Sequence, residues 1–172
     1  AVVPPILPLS PFAVVVGSFS KSLSLAGERV GYLLVSPEMP DGAVLLDALT
    51  MTNRTLGFVN APVVGQRLVE ALVDASVDVG VYDRRRKAMA AALRGAGIEF
   101  FLPQGAFYFF PKAPGGDDSA FVKLLLEENI LAVPGRGFGM PGYFRLTFCV
   151  DEQVIARAAP GFARAARRAG AR

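Results

Sequence analysis

The 172-residue sequence contains no histidine and only one cysteine, Cys149. Without a thiol pair or an imidazole there is no disulfide framework and no ordinary donor set for a transition metal, so no metal site is expected. Cys149 stands between Phe148 and Val150, which predicts a small buried side chain. Charge is also scarce: 19% of residues are charged against 52% hydrophobic. So apolar a balance implies that part of the surface faces a partner. No apolar run reaches the roughly 18 residues of a membrane span, since proline, glycine or charge interrupts each one. No signal peptide is recognisable either, and a soluble, cytoplasmic protein is expected.

The net charge of +3 arises from 18 basic and 15 acidic residues. Much of the excess lies in Arg84-Arg85-Arg86-Lys87 and in Arg164, Arg167, Arg168 and Arg172. Both clusters fall on expected helices with no interleaved aromatics, and they read as solvated helix faces rather than a nucleic-acid site. There is no internal repeat or low-complexity tract.

The length allows roughly 70% of the unfolded surface to be buried, in one or two domains. Residues 1–12, with Pro4, Pro5, Pro8 and Pro11, read as an extended connecting segment. Val14 to Ser18 and Arg29 to Val35 are expected strands. Ser36-Pro37-Glu38 has the signature of a helix start, with the helix running to about Met51. A second helix follows Asn60-Ala61-Pro62, and a third runs from about Val79 to Leu93, ended by Gly95 and Gly97. Short strands are then expected at Ile98 to Leu102, Ala106 to Pro111, Ile130 to Val133 and Tyr143 to Val150. Helices flank them at Ser119 to Glu128 and at Asp151 to Arg168, the latter capped by Asp151 and kinked at Pro160-Gly161. The change of pattern places a domain boundary near residue 95.

The most informative stretch is Ser18-Phe19-Ser20-Lys21, followed by Gly27-Glu28-Arg29-Val30-Gly31-Tyr32. An apolar strand ends in Gly17 and delivers two hydroxyls and a lysine to its C-terminal end, where open α/β sheets expose ligand sites. A lysine amine there can form a Schiff base with an aldehyde, and hydroxyls with an arginine supply the donors an organophosphate needs. Downstream, Arg145 interrupts the apolar Tyr143-Phe144-Arg145-Leu146-Thr147-Phe148. A charge on such a strand needs a partner, and guanidinium geometry suits a carboxylate. Gly135, Gly137 and Gly139 lack the strand-to-helix context of a dinucleotide fingerprint and read as a loop that shapes a pocket.

Ser18 through Tyr32 resembles the lysine motif of the class I/II aminotransferases that depend on pyridoxal 5'-phosphate (PLP). The resemblance continues through Gly105-Ala106-Phe107-Tyr108-Phe109-Phe110-Pro111, Val133-Pro134-Gly135-Arg136-Gly137-Phe138-Gly139 and Tyr143-Phe144-Arg145-Leu146. It implies that Lys21 holds the cofactor covalently and is the catalytic residue. Ser18, Ser20 and Arg29 would hold the cofactor phosphate, and Arg145 would grip the substrate α-carboxylate. Arg136 and Phe138 would border the active site.

The implied fold is α/β: residues 1–95 as the end of a large PLP-binding domain with a mostly parallel sheet, and residues 96–172 as a small C-terminal domain. The implied activity moves an amino group between an α-amino acid and a 2-oxo acid, in a homodimer. The family's glycine-rich phosphate loop, its ring-stacking aromatic and the aspartate at the pyridine nitrogen have no counterpart here, so the sequence is expected to be a C-terminal portion that is silent on its own. Two other readings share Lys21 and Arg29. One is a PLP-dependent C–S lyase or decarboxylase, and the other is the aminotransferase-like effector domain of a transcription regulator.

Overall fold

Val14–Ser18 forms β1 and Gly31–Val35 forms β2, and they pair antiparallel with Val14 opposite Val35 and Ser18 opposite Gly31. β-branched and apolar residues suit the pleated pair. The expected strands are therefore present, joined by a structured connection. The computed structural model describes residues 4–170; Ala1 to Val3 of the proline-rich segment, and Arg172 of the second basic cluster, lie outside the described residues. The rest of that segment is not uniformly extended, since Leu7–Leu9 turns as a 3-10 helix.

The chain divides into two compact units, 1–77 and 78–172. Sequence pattern alone puts the boundary near residue 95, where helix gives way to strands. The third helix, however, packs with the later elements of the chain. In the first unit, α1 (Phe19–Ser22) is a single turn, and α2 (Gly42–Thr55) and α3 (Val63–Leu72) follow β2. The helix expected from Ser36 begins later, at Gly42. Ser36 is buried, its N–H bonds to Ala13 O at 3.0 Å, and its hydroxyl accepts from Glu38 N at 3.3 Å, closing a turn instead. This is local side-chain capping competing with helix.

The second unit holds the main core. α4 (Val79–Gly95) and α6 (Glu152–Gly170) pack against each other, and α6 runs on through Pro160. α5 (Asp118–Glu127) lies against α6. The strands β3 (Tyr108–Phe109), β4 (Val133–Pro134) and β5 (Phe144–Thr147) form a sheet in the order β3-β5-β4, antiparallel throughout. Leu93, Phe109, Phe121, Leu125, Phe144 and Phe162 are fully buried between helices and sheet. Each such side chain contributes about 1.5–3 kcal/mol relative to exposure.

Every strand pair among the described residues is antiparallel, and helices alternate with these short sheets in the expected α/β arrangement. Other expectations are corrected. Ile98 to Leu102 is not a strand; it leaves α4 directly, with Ile98 N bonded to Leu93 O, and its Glu99 O accepts from Lys112 N at 2.9 Å. Cys149 is exposed, because the alternation along β5 turns Phe144, Leu146 and Phe148 inward and leaves the odd positions outward. The basic cluster on α4 is engaged rather than simply solvated. Arg84 pairs with Glu152 at 3.4 Å, Arg85 with Asp151 at 3.0 Å and Arg86 with Asp83 at 2.6 Å. The Asp151 carboxylate expected to cap α6 thus accepts from α4. On the other side of α6, Arg164 pairs with Glu128 at 2.6 Å. That hydrogen bond holds the Glu128 carboxyl below the ordinary range against the opposing effect of burial.

Candidate active site

The residues singled out in the sequence gather in two constellations, one in each unit. The first surrounds Lys21. Ser18 is still extended, and its hydroxyl oxygen accepts from Ser20 N at 3.2 Å and lies 3.0 Å from the Ser20 hydroxyl, which starts α1. This is the N-cap geometry that serine favours, and it turns the chain sharply as it leaves β1. Lys21 therefore sits on a helical turn at the C-terminal end of the strand, exposed, rather than in an irregular loop.

Tight backbone packing fixes that turn. Phe19 N bonds to Val30 O at 3.2 Å, Ser24 N to Lys21 O at 3.4 Å, and Val77 N to Ser22 O at 3.2 Å. The Tyr32 ring covers Gly17 so closely that a Cβ there would lie 2.1 Å from it, and the same ring meets Phe19 at 5.4 Å between centroids. A Cβ on Gly31 would lie 2.7 Å from Gly17 O. Gly17 and Gly31 are thus both required by close approach.

Arg29 ends the 3-10 turn Ala26–Glu28 in the left-handed region, with φ 56° and ψ 42°. For a non-glycine residue this conformation costs on the order of 1 kcal/mol or more and is concentrated at functional sites. One guanidinium nitrogen, Nη1, donates to Ala26 O at 2.9 Å, which leaves most of its five donors available. The register of β1 and β2 brings Arg29 to the same end of the hairpin as Ser18, Ser20 and Lys21. Arg29 also lines an open depression of about 770 Å³ with Asn53, Asn60 and Gln66. These amides do not stand out in the sequence, where nothing distinguishes them from surface polar residues.

The second constellation is built on Arg145. It is half-buried on β5 opposite Val133 of β4, and its guanidinium carbon lies 4.2 Å from the Phe138 ring centroid and 4.6 Å from that of Tyr108. Two aromatic rings thus lie within cation–π distance of the guanidinium. Among the described residues no carboxylate pairs with Arg145. The partners that this charge finds among the described residues are thus two rings. Tyr108 was the ring least visible in the sequence; its only signal was its place in the Gly105 to Pro111 block.

Phe138 comes from the 3-10 turn Gly135–Phe138 that follows β4. Gly135 permits the turn, since a Cβ there would lie 2.3 Å from Met140 O and 2.6 Å from Tyr143 O. Gly135→Ala is expected to destabilise the second unit by about 1–3 kcal/mol through this overlap, read as a lowered melting temperature. Arg136 turns to α5, where its Nη2 lies 2.6 Å and its Nε 2.9 Å from Asp118 Oδ1.

The chain matches the family Aminotransferase class I and II over residues 7–162. It belongs to that family. The aspartate aminotransferase of Thermotoga maritima is 32% identical over 145 residues, which cover 84% of this chain and 37% of that protein. Among solved structures, an amino transferase from Eubacterium rectale is 38% identical and superposes with a TM-score of 0.88 over 98% of this chain and 42% of its own. An alpha-aminoadipate aminotransferase from Thermus thermophilus, complexed with N-(5'-phosphopyridoxyl)-L-leucine, is 26% identical with a TM-score of 0.79, covering 95% of this chain and 44% of its own. The chain thus spans about two-fifths of the length of these relatives. As a piece of the aminotransferase fold, its antiparallel β1–β2 pair needs no special account, since mixed sheets commonly carry antiparallel strands.

Proposed function

We propose that this chain is the part of a PLP-dependent aminotransferase that carries the cofactor lysine and the substrate-carboxylate arginine. The observation that carries the reading is the turn after β1, where an exposed lysine, two hydroxyls 3.0 Å apart and an arginine in a left-handed conformation share one end of a hairpin. That donor set fits a phosphate ester bearing an aldehyde, and the Thermus relative is complexed with a phosphopyridoxyl compound. When bound, PLP supplies an aldehyde and a conjugated ring that takes up electron density from the substrate Cα.

Lys21 Nζ would hold the cofactor covalently and, as a free amine, would take up and return the proton of the substrate Cα. Ser18, Ser20 and Arg29 bind the phosphate and so fix the position of the ring relative to Nζ. Arg145, with Tyr108 and Phe138 against its guanidinium, would donate to the substrate α-carboxylate and so fix the substrate's orientation. The amino acid and 2-oxo acid compete for the same arginine, as a reversible transfer between them requires.

The same reading makes the full-length enzyme a cytoplasmic homodimer. Val16, Phe58, Val63 and Val64 of the first unit are 78%, 72%, 71% and 68% exposed, an apolar surface that further protein would cover. The 172-residue chain by itself is expected to self-associate and to show no transamination, measured by light scattering and by a coupled assay with aspartate and 2-oxoglutarate. Titration with PLP should still develop an imine absorbance that Lys21→Ala lacks. An equal absorbance change in Lys21→Ala would refute the assignment of the cofactor lysine.

A further inference from the structure

Asp118 is a buried carboxylate, 0% exposed, at the first turn of α5, and it has no part in the transfer chemistry proposed for Lys21 and Arg145. Its Oδ1 accepts from Arg136 Nη2 at 2.6 Å and Nε at 2.9 Å, and its Oδ2 accepts from Arg136 N at 2.8 Å. One carboxylate thus ties the start of the loop 135–142 to α5, through both the backbone and the side chain of Arg136. Asp117 adds a second acceptor, its Oδ1 lying 3.2 Å from Arg136 Nη2 while capping α5 through Ser119 N and Ala120 N. The hydrogen bond from the Arg136 guanidinium, assisted by the Arg136 backbone N–H, holds the Asp118 carboxyl far below the ordinary range despite its burial.

The loop so tied carries Phe138, whose ring covers one face of Arg145. Phe138 also meets Phe110 edge-on at 5.9 Å, so its ring is held from two sides. We infer that Asp118, acting through Arg136, is a positioning residue that holds Phe138 over Arg145 and thereby sets the plane in which Arg145 presents its donors. This rests on the reading of Arg145 as the carboxylate-binding group only for its consequence, weaker carboxylate binding; the positioning itself is a property of the loop. A cation between two rings loses little rotational freedom on pairing, whereas one covered on a single face must first be ordered.

The test uses the Nε–Hε resonance of Arg145 in the 172-residue chain, assigned by its loss in Arg145→Lys, and a titration with maleate as the carboxylate probe. The Phe138 and Tyr108 rings should shift this resonance away from those of solvent-exposed arginines. Asp118→Asn and Arg136→Gln should both move it back toward them. Asp118→Asn should move it further, because it also weakens the bond to the Arg136 backbone. If Asp118→Asn fails to fold by circular dichroism, Arg136→Gln decides the matter, since the Arg136 side chain is half exposed and the glutamine amide can still donate to the buried Asp118 carboxylate. An unchanged resonance in folded Arg136→Gln overturns the inference. If the resonance moves as expected but maleate leaves Arg145 undisturbed in the unaltered chain, the positioning stands and the carboxylate assignment of Arg145 falls instead.

Discussion

Replacing Lys21 by alanine should reduce kcat of the full-length enzyme by about three orders of magnitude or more, while leaving the fold of both units unchanged. The magnitude follows from two losses at one atom. Positioned proton transfer contributes typically about 10²–10⁴-fold, and the covalent hold that keeps the cofactor poised for exchange is lost as well. The fold should be spared because Lys21 is exposed and the turn is fixed by backbone bonds, among them Phe19 N to Val30 O and Val77 N to Ser22 O. Single-turnover kinetics check this, with added methylamine as a replacement base. Partial rescue by the amine is expected, since it restores a proton carrier but not its attachment.

The second large effect separates the two arginines. Arg145→Ala should raise the KM for amino acid and oxo acid alike by about ten- to a hundredfold per lost hydrogen bond, at about 1.5–3 kcal/mol for each charge-assisted contact. PLP affinity should hardly move. Arg29→Ala should do the reverse, lowering retention of PLP while the substrate requirement at saturating cofactor stays near its original value. Arg145→Lys should recover little, since an ammonium neither stacks between Tyr108 and Phe138 nor offers two parallel donors. Equal defects of both alanine variants in both titrations would mean that the anions are wrongly divided between the arginines.

A pH effect belongs to Asp118. Its native carboxyl titrates below the unfolded value, so its ion pair stabilises the fold fully above the ordinary carboxylate pKa of about 3.9 and loses that contribution as pH falls toward the lowered native value. The difference in melting temperature between the unaltered chain and Arg136→Gln should therefore be constant from pH 7 to about pH 5 and shrink below about pH 4. A difference that grows on acidification would contradict the assignment.

The lysine turn was readable in the sequence because its determinants are local: Gly17 beneath Tyr32, Ser18 as cap, and Gly31 against the opposite backbone all act between positions 17 and 32. Arg145 was readable for a different reason, a charge set among apolar residues on a strand. Its surroundings were not. Tyr108 and Phe138 approach from separate segments, and Asp118 is reached from Arg136 across 18 positions, so their roles follow from tertiary placement. The same holds for Ser36, whose buried hydroxyl closes a turn where its sequence context indicated a helix. Cys149 was misplaced because its apolar neighbours suggested burial, while strand alternation decided the matter.

The proposed function depends first on Lys21 as the residue that holds the cofactor. Reduction of the PLP-treated chain with borohydride, followed by peptide mapping, tests it most directly. The phosphopyridoxyl mass is expected on the peptide containing Ser18 to Lys21, and it should vanish in Lys21→Ala. A principal adduct on Lys87, Lys112 or Lys123 instead would contradict the account.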